Sequence, residues 1–281
     1  MTKKPTRPVI ALLYDFDHTL CTKDMQEYSF IPSLGIGADA FWSETAKLSK
    51  KERMDRIIAY MYMMIRMSKE KQVPIKRDVF VALGKDIKFF KGVETWFGRM
   101  NKIGDSLGLD VEHYIISSGI KEIIEGSSIA KEFKEIFACE FHYEENGVAD
   151  WPKAVVNYTT KTQFLFRINK GVLDPSEDDE LNRYTPEANR RVPFRNMIYI
   201  GDGMSDVPCM KLVKVGGGKS IAVYVRGTKD RVKSLIDDGR VDFILPADYS
   251  EGSRIEGTVR DILNGMAIEN RLFSLHEKQT S

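Results

Sequence analysis

The sequence predicts an α/β fold, a doubly wound and mainly parallel sheet interrupted by a helical insertion. Three observations carry this expectation. Six short apolar runs recur along the chain: "VIALLYDFD", "EHYIISSG", "FACEFHY", "NMIYIGDG", "KSIAVYV" and "VDFILPA". Such runs mark strands covered on both faces. Helix-like stretches separate several of them, at Gly92–Leu107, Ile120–Ile136, Lys161–Lys170 and Ser205–Val213, and strand–helix alternation favours parallel strands with helices on both sides. Residues 24–88 break the alternation, because no comparable strand run occurs there.

The elements follow in order. Val9 to Leu13 form the first strand, and Asp15 and Asp17 sit where it ends, on the rim at which open α/β sheets bind ligands. Two close carboxylates raise the cost of ionising each other unless a cation or hydrogen-bond donors intervene. In the insertion, Met54, Ile57, Ile58, Met61 and Ile65 recur at helical spacing and read as one packed helix face. The second strand ends in Ser117 and Ser118, then Gly119 and a helix; hydroxyls and free N–H groups at such a junction can hold an anion. "EENGVADW" carries the Asn146-Gly147 turn signal of a short hairpin. "TTKTQFLF" places Lys161 at a helix opening, and the polar stretch 174–191, with two prolines, reads as a long surface loop and a candidate for mobility. "YIGDGMSD" ends a later strand with Asp202 and, after a glycine turn, Asp206.

Composition narrows the function classes. The chain has 281 residues, 42% of them hydrophobic, and a formal net charge of +1. That length supports a substantial core and more than one domain. The balanced charge supplies no broad field towards nucleic acid or an anionic membrane, so neither is an expected partner. Cys21, Cys139 and Cys209 are widely spaced and form no CxxC pair or disulfide framework. The opening "MTKKPTRP" is short and basic, and the apolar run after it meets charge too early for a signal sequence. No apolar run approaches the ~20 residues that span a bilayer. A cytoplasmic, reducing location is the expectation. "VGGGKSIAV" lacks the glycine that a P-loop needs at Val213. His18, His113, His142 and His276 show no zinc-ligand spacing, and His18 is expected to support its neighbours rather than react.

Singly, these features also read as an N-cap serine, an Asp-Gly turn and a solvated lysine. In order, they form a pattern. Asp-x-Asp-x-Thr after an apolar strand, Ser after a second strand, Lys at a helix start and Gly-Asp-Gly-x-Ser-Asp after a later strand resemble the haloacid dehalogenase-like superfamily. The closest likeness is to its phosphoserine phosphatase-like branch, in which a helical cap follows the first motif. The resemblance covers residues 8–250. It implies a Rossmann-like core at residues 8–23 plus 89–281 and a cap at 24–88.

By this resemblance, Asp15 is the nucleophile that accepts the phosphoryl group, and Asp17 protonates the leaving oxygen and later deprotonates water. Mg²⁺ would be held by the Asp15 carboxylate, the Asp17 main-chain carbonyl and Asp202, with Asp206 orienting Lys161 or a metal-bound water. Thr19, Ser117, Gly119 and Lys161 are the implied phosphate-binding residues. Ser118 replaces Ser117 if the strand ends one residue later, and Lys153 and Lys170 compete with Lys161, which is preferred as the lysine at a helix entry. Phosphoserine phosphatases read the substrate amine with a glutamate just after the first motif and its carboxylate with a cap arginine. Here Asp24 stands at about the glutamate position and Arg53 or Arg56 are the arginine candidates, so the substrate contacts assigned are Asp24 and Arg56. Asp24-x-x-Glu27 also reads as a capping box, and the two readings stay open.

Asp17 favours a phosphatase or phosphomutase over members that move carbon groups or pump ions, which typically lack that aspartate. The expected activity is Mg²⁺-dependent hydrolysis of a small phosphorylated metabolite. The alternatives are transfer of the phosphoryl group to an alcohol, and a catalytically silent binding protein on the same fold.

Overall fold

The computed structural model describes residues 7–280; the start of the basic opening, Met1–Thr6, lies outside the described residues. Seven strands form one sheet: β1 (Val9–Tyr14), β2 (Asp110–Ile120), β3 (Glu135–Tyr143), β4 (Ala149–Ala154), β5 (Met197–Gly201), β6 (Lys219–Tyr224) and β7 (Phe243–Pro246). Their order is β4-β3-β2-β1-β5-β6-β7. All neighbours run parallel except β3 and β4. The chain winds outward from β1 in one direction through β2 and β3, then in the other through β5, β6 and β7. The topological switch point therefore lies between β1 and β5, where ligands of such sheets bind.

The helices are α1 (Phe30–Ser33), α2 (Ala38–Glu52), α3 (Arg56–Lys71) and α4 (Arg77–Leu83) between β1 and α5 (Val93–Ser106). Beyond β2 come α6 (Lys121–Glu125), α7 (Lys161–Lys170), α8 (Asp178–Asn182), α9 (Val207–Val215), α10 (Asp230–Asp237) and α11 (Arg254–Thr280). The α/β class, the doubly wound parallel sheet and the helical insertion agree with the expectation. The extra strand, β4, is the return arm of the Asn146-Gly147 hairpin, whose Gly147 takes φ +75°; β4 carries Trp151, Pro152 and Lys153 along the sheet's edge.

Three local readings are corrected. The helix expected over Ile120–Ile136 stops at Glu125, because Gly126-Ser127-Ser128 interrupts it and β3 already begins at Glu135. Gly126 also lies where a side chain would run into the Val81 carbonyl of α4, so backbone contact with the insertion replaces further helix. In α3 the buried residues are Ala59, Tyr60, Met61, Met63, Met64 and Ser68, while Ile58 is exposed; a segment apolar nearly all round does not specify one face. The stretch 174–191 contains α8 and is tied down. The buried Arg167 guanidinium donates to the Asp174 carbonyl (2.7 Å), the Pro175 carbonyl (2.9 Å) and Asp178 Oδ1 (3.0 Å), and Lys170 Nζ donates to the Leu181 and Arg183 carbonyls. Helices α10 and α11 follow the last of the stretches read as helical.

The floor of the site is rigid. Every β1 residue is buried, and each fully buried aliphatic side chain contributes about 1.5–3 kcal/mol. At the end of β1, Trp96 Nε1 donates to the Tyr14 hydroxyl at 2.9 Å. Asn101 Oδ1 can only accept, so His113 Nε2–H donates to it (2.9 Å), which leaves Nδ1 of the neutral ring to accept the Tyr14 hydroxyl (3.0 Å). The chain of donors fixes one neutral tautomer of His113 and joins β1, β2 and α5 beneath Asp15.

Candidate active site

Asp15 is the first residue past β1, and its N–H donates to the Ile200 carbonyl of β5 at 2.9 Å. Its carboxylate thereby stands at the switch point. Asp202 follows β5 directly, and Asp206 lies one short turn further on. One oxygen of each of Asp15, Asp202 and Asp206 lies within 4.8 Å of the others. Lys161, the first residue of α7, reaches in from the side: its Nζ is 2.9 Å from Asp15 Oδ1 and 2.7 Å from Asp206 Oδ1. The Tyr199 hydroxyl donates to the same Asp206 oxygen at 2.8 Å. Asp15 is 5% exposed, and Lys161 and Asp206 are fully buried.

Burial and mutual repulsion shape the protonation of these groups. Desolvation and the neighbouring Asp206 push Asp15 up to about 6, against the pull of Lys161. Desolvation, Asp206 and Asp15 push Asp202 up to about 8. Burial opposes the Lys161 ammonium, but Asp15 and Asp206 outweigh it and hold its pKa above the ordinary lysine value. One buried cation thus serves three clustered carboxylates, a deficit of positive charge that a divalent cation with oxygen ligands would correct.

Asp17 is turned differently. Its Oδ1 accepts the Met25 N–H at 2.9 Å, and its carboxylate is absent from the three-acid cluster. Desolvation, then Asp24 and Asp15, raise its pKa well above the usual carboxylate range. Met25 also reaches across to β2, where its Sδ accepts the Ile120 N–H at 3.1 Å. Gly119 fits under this pair only because it lacks a side chain: a Cβ there would run into Met25 Cε and lie 2.9 Å from Sδ and 3.0 Å from Asp17 Oδ2.

Residues 12–211 match the haloacid dehalogenase-like hydrolase family. The chain belongs to that family. An uncharacterized protein of Borreliella burgdorferi is 28% identical over 274 residues, covering 88% of this chain and 94% of that protein. Among solved structures, a hydrolase of the same family from Salmonella enterica serovar Typhi has a TM-score of 0.56 at 16% identity, covering 86% of this chain and 70% of that one. A substrate-bound phosphoserine phosphatase has a TM-score of 0.56 at 14% identity, covering 85% and 93%. The fold of this haloacid dehalogenase-like hydrolase is therefore that of phosphoserine phosphatase-like members.

The remaining residues singled out from the hydrolase's sequence are distributed as follows. Thr19 is buried, and its hydroxyl has no hydrogen-bond partner among the described residues. Ser117 is buried and its Oγ accepts the Gly119 N–H at 3.0 Å, whereas the Ser118 carbonyl accepts the Tyr60 hydroxyl at 2.5 Å. Lys153 pairs with Glu140 and Lys170 holds the 174–191 segment, so of the three candidate lysines Lys161 is the one at the carboxylates. Asp24 makes no side-chain cap bond to the turn Met25–Glu27. Its carboxylate instead lies 3.6 Å from His18 Nε2, and Glu27 accepts the Trp42 indole N–H at 2.7 Å. The capping-box reading is thereby corrected: both acids have tertiary partners. The neighbouring Asp24 carboxylate pushes His18 up to about 9. Arg56 is exposed at the first position of α3, with no ion pair among the described residues.

Sequence reading missed four residues that hold the site: Met25, Tyr60, Asn157 and Tyr199. Asn157 had a signal. "NYTTK" is an Asx turn, with Asn157 Oδ1 accepting the Thr159 and Thr160 N–H groups just before the Lys161 helix. Tyr60 had none, because its bond crosses 58 positions to a backbone atom.

Proposed function

We propose that this hydrolase is a Mg²⁺-dependent phosphomonoesterase that turns over small phosphorylated metabolites through an aspartyl-phosphate on Asp15. The observation that carries the reading is the buried Lys161 ion-paired to Asp15 beside Asp202 and Asp206 at the switch point. The donor set suits a hard divalent ion, being all oxygen and short of positive charge. Asp15, Asp202 and the Asp17 carbonyl would hold Mg²⁺ with Asp206 alongside, and the ion would supply charge neutralisation at a phosphate oxygen.

The protein's own groups perform the rest. The Asp15 carboxylate attacks phosphorus, and the bond to the ester oxygen breaks. Asp17, whose raised pKa favours the protonated form in the absence of metal, gives its proton to that departing oxygen. The resulting Asp17 carboxylate then takes a proton from a water molecule, which attacks phosphorus and releases phosphate and free Asp15. Lys161, the Ser117 hydroxyl and the unpartnered Thr19 hydroxyl are assigned to the non-bridging oxygens. Burial of Asp15, Thr19, Ser117, Lys161 and Asp206 limits stray water at the nucleophile during the first step.

We further place the cap at residues 24–88 and the core at 8–23 and 89–281. The pairing of the two connecting segments supports these limits: the Thr22 N–H donates to the Lys88 carbonyl (3.0 Å) and the Phe90 N–H to the Leu20 carbonyl (2.9 Å). The Asp24–His18 pair argues against a phosphoserine amine as the group that Asp24 reads. No helix of the described residues is long and apolar enough to cross a membrane.

The test is hydrolysis of an aryl phosphate and of a panel of phosphomonoesters with Mg²⁺. Turnover should cease with EDTA and return on adding Mg²⁺, and Asp15→Asn should form no phosphoenzyme. Full activity after chelation rejects the metal assignment; wild-type turnover by Asp15→Asn rejects the nucleophile. Product transferred to an added alcohol in place of water would favour the phosphotransferase alternative.

A further inference from the structure

The same cap helix, α3, touches both segments that present the assigned phosphate-binding residues: the end of β2 and the turn that precedes α7. Near its start, the buried Tyr60 donates its hydroxyl to the Ser118 carbonyl at 2.5 Å. That carbonyl and the Gly119 N–H belong to one rigid peptide plane, and the Gly119 N–H donates to Ser117 Oγ at 3.0 Å. Holding the carbonyl therefore fixes the direction of the N–H. It also leaves the Ser117 hydroxyl proton free for a phosphate oxygen.

The second contact is at the helix N-cap. Asp55 uses Oδ1 to accept the Ile57 and Ile58 N–H groups at 2.8 and 3.1 Å, and Oδ2 to accept Asn157 Nδ2 at 3.1 Å. Asn157 in turn starts the helix that carries Lys161: its carbonyl accepts the Lys161 N–H at 2.9 Å, and its Oδ1 accepts from Thr159 and Thr160. Each arm thus ends one or two hydrogen bonds from a phosphate-binding side chain.

We infer that Tyr60 and Asp55 are positioning residues, and that docking of α3 sets the Ser117 end of β2 and the Asn157 turn before Lys161 into their anion-binding geometry. The inference rests on the phosphatase reading and adds to it that the phosphate site is completed by the cap. A cap that has swung away leaves the Ser118 carbonyl only the weaker Cys139 thiol of β3, at 3.4 Å, and the Asn157 side chain without Asp55, so affinity for the phosphoryl group itself falls. That differs from a cap that only screens the site or reads the rest of the substrate.

The atoms permit a clean test with inorganic phosphate as probe, measured both by calorimetry with Mg²⁺ and as product inhibition. Tyr60→Phe keeps the ring, which packs edge-on against Trp42 at 6.0 Å between centroids, and removes the hydroxyl that bonds the Ser118 carbonyl and neighbours the Cys139 thiol. Asp55→Asn keeps an oxygen for the helix cap but turns an NH₂ towards the Asn157 NH₂. Asn157→Asp keeps Oδ1 for its own turn but sets a carboxylate oxygen against Asp55. The double variant Asp55→Asn/Asn157→Asp restores a donor–acceptor pair with the partners exchanged.

Each single variant should weaken phosphate binding roughly ten-fold, the scale of one hydrogen bond to a charged or peptide group. The exchanged pair should recover to within about three-fold of wild type. Phosphate affinities within two-fold of wild type in all three folded single variants, whatever their melting temperatures, would overturn the inference. Failure of the exchanged pair to recover would overturn the Asp55 arm. If the wild-type protein neither binds phosphate nor hydrolyses any ester with Mg²⁺, the phosphatase reading itself has failed, an outcome distinct from the others.

Discussion

Gly119→Ala puts the tightest contact of the site under strain. The added methyl would run into Met25 Cε and stand 2.9 Å from Met25 Sδ and 3.0 Å from Asp17 Oδ2, against the ~3.5–4.0 Å at which such atoms rest. Met25 is flexible, but it cannot withdraw freely, because its Sδ accepts the buried Ile120 N–H and its own N–H is bonded to Asp17. Overpacking costs about 1–3 kcal/mol, and stranding a buried N–H costs a similar amount. A loss of about 2–4 kcal/mol in unfolding free energy is expected. Activity should fall further than stability does, because a displaced Asp17 carboxylate loses its line to the leaving oxygen, and kcat should drop ~100-fold. Met25→Ala alone should cost about 2–5 kcal/mol through the cavity it leaves. Combined, the two substitutions should not add: the alanine methyl fills space that the thioether vacated, giving a coupling of about 1–3 kcal/mol. Urea unfolding and kcat on an aryl phosphate, measured on all four proteins, close the cycle. A Gly119→Ala protein with wild-type kcat, or losses that add to within about 0.5 kcal/mol, would refute the packing argument.

Asp17→Asn should reduce turnover of an alkyl phosphate by roughly 10²–10⁴ and spare a nitrophenyl ester, whose leaving group departs unprotonated; equal losses on the two would remove the acid role. Arg56→Ala should leave unfolding free energy within about 0.5 kcal/mol of wild type, since the side chain is exposed, while lowering kcat/KM for the best metabolite and not for the aryl ester; unchanged kinetics on both would end its candidacy as a specificity residue. Burial lowers His113 from 6.5 to about 3, so between those values the unfolded chain binds a proton that the folded one refuses. The stability this group confers is complete above pH 6.5 and is lost as pH falls towards 3, at up to about 1.4 kcal/mol per pH unit; urea unfolding at pH 7 and pH 5 should show a steeper decline for wild type than for His113→Asn.

The chemistry of the site was legible because it is local. Asp15, Asp17, Asp202 and Asp206 each stand where an apolar run ends, and Lys161 opens a helix, so a strand–helix reading already gathers them on one rim. What joins them across the chain was not legible. The Met25–Ile120, Tyr60–Ser118 and Asp55–Asn157 bonds span 58 to 102 positions, and two of them use backbone atoms, which leave no residue signature. Asp24 shows the opposite error. Its sequence neighbourhood suggests a cap, yet a nearby His18 in the left-handed region, at φ +55°, turns towards it and takes the carboxylate. The α3 face was misjudged for a further reason: a helix lodged between α2 and β4 buries more than one stripe, and methionine serves equally on any of them.

The hairpin that adds β4 to the sheet also decides how the molecule meets its own copies. An all-parallel sheet ending at β3 would offer an incoming chain an unbroken row of backbone donors and acceptors. Instead the border is a six-residue return strand in which Pro152 has no N–H to give and Lys153 lies ion-paired with Glu140, with pairing to β3 broken by register shifts at Glu140/Phe141 and His142/Tyr143. These are devices that deter strand addition between molecules. At high concentration, and during folding while the insertion is still undocked, this margin should resist growth into cross-β aggregates; the same sheet with residues 144–154 removed would lose that protection.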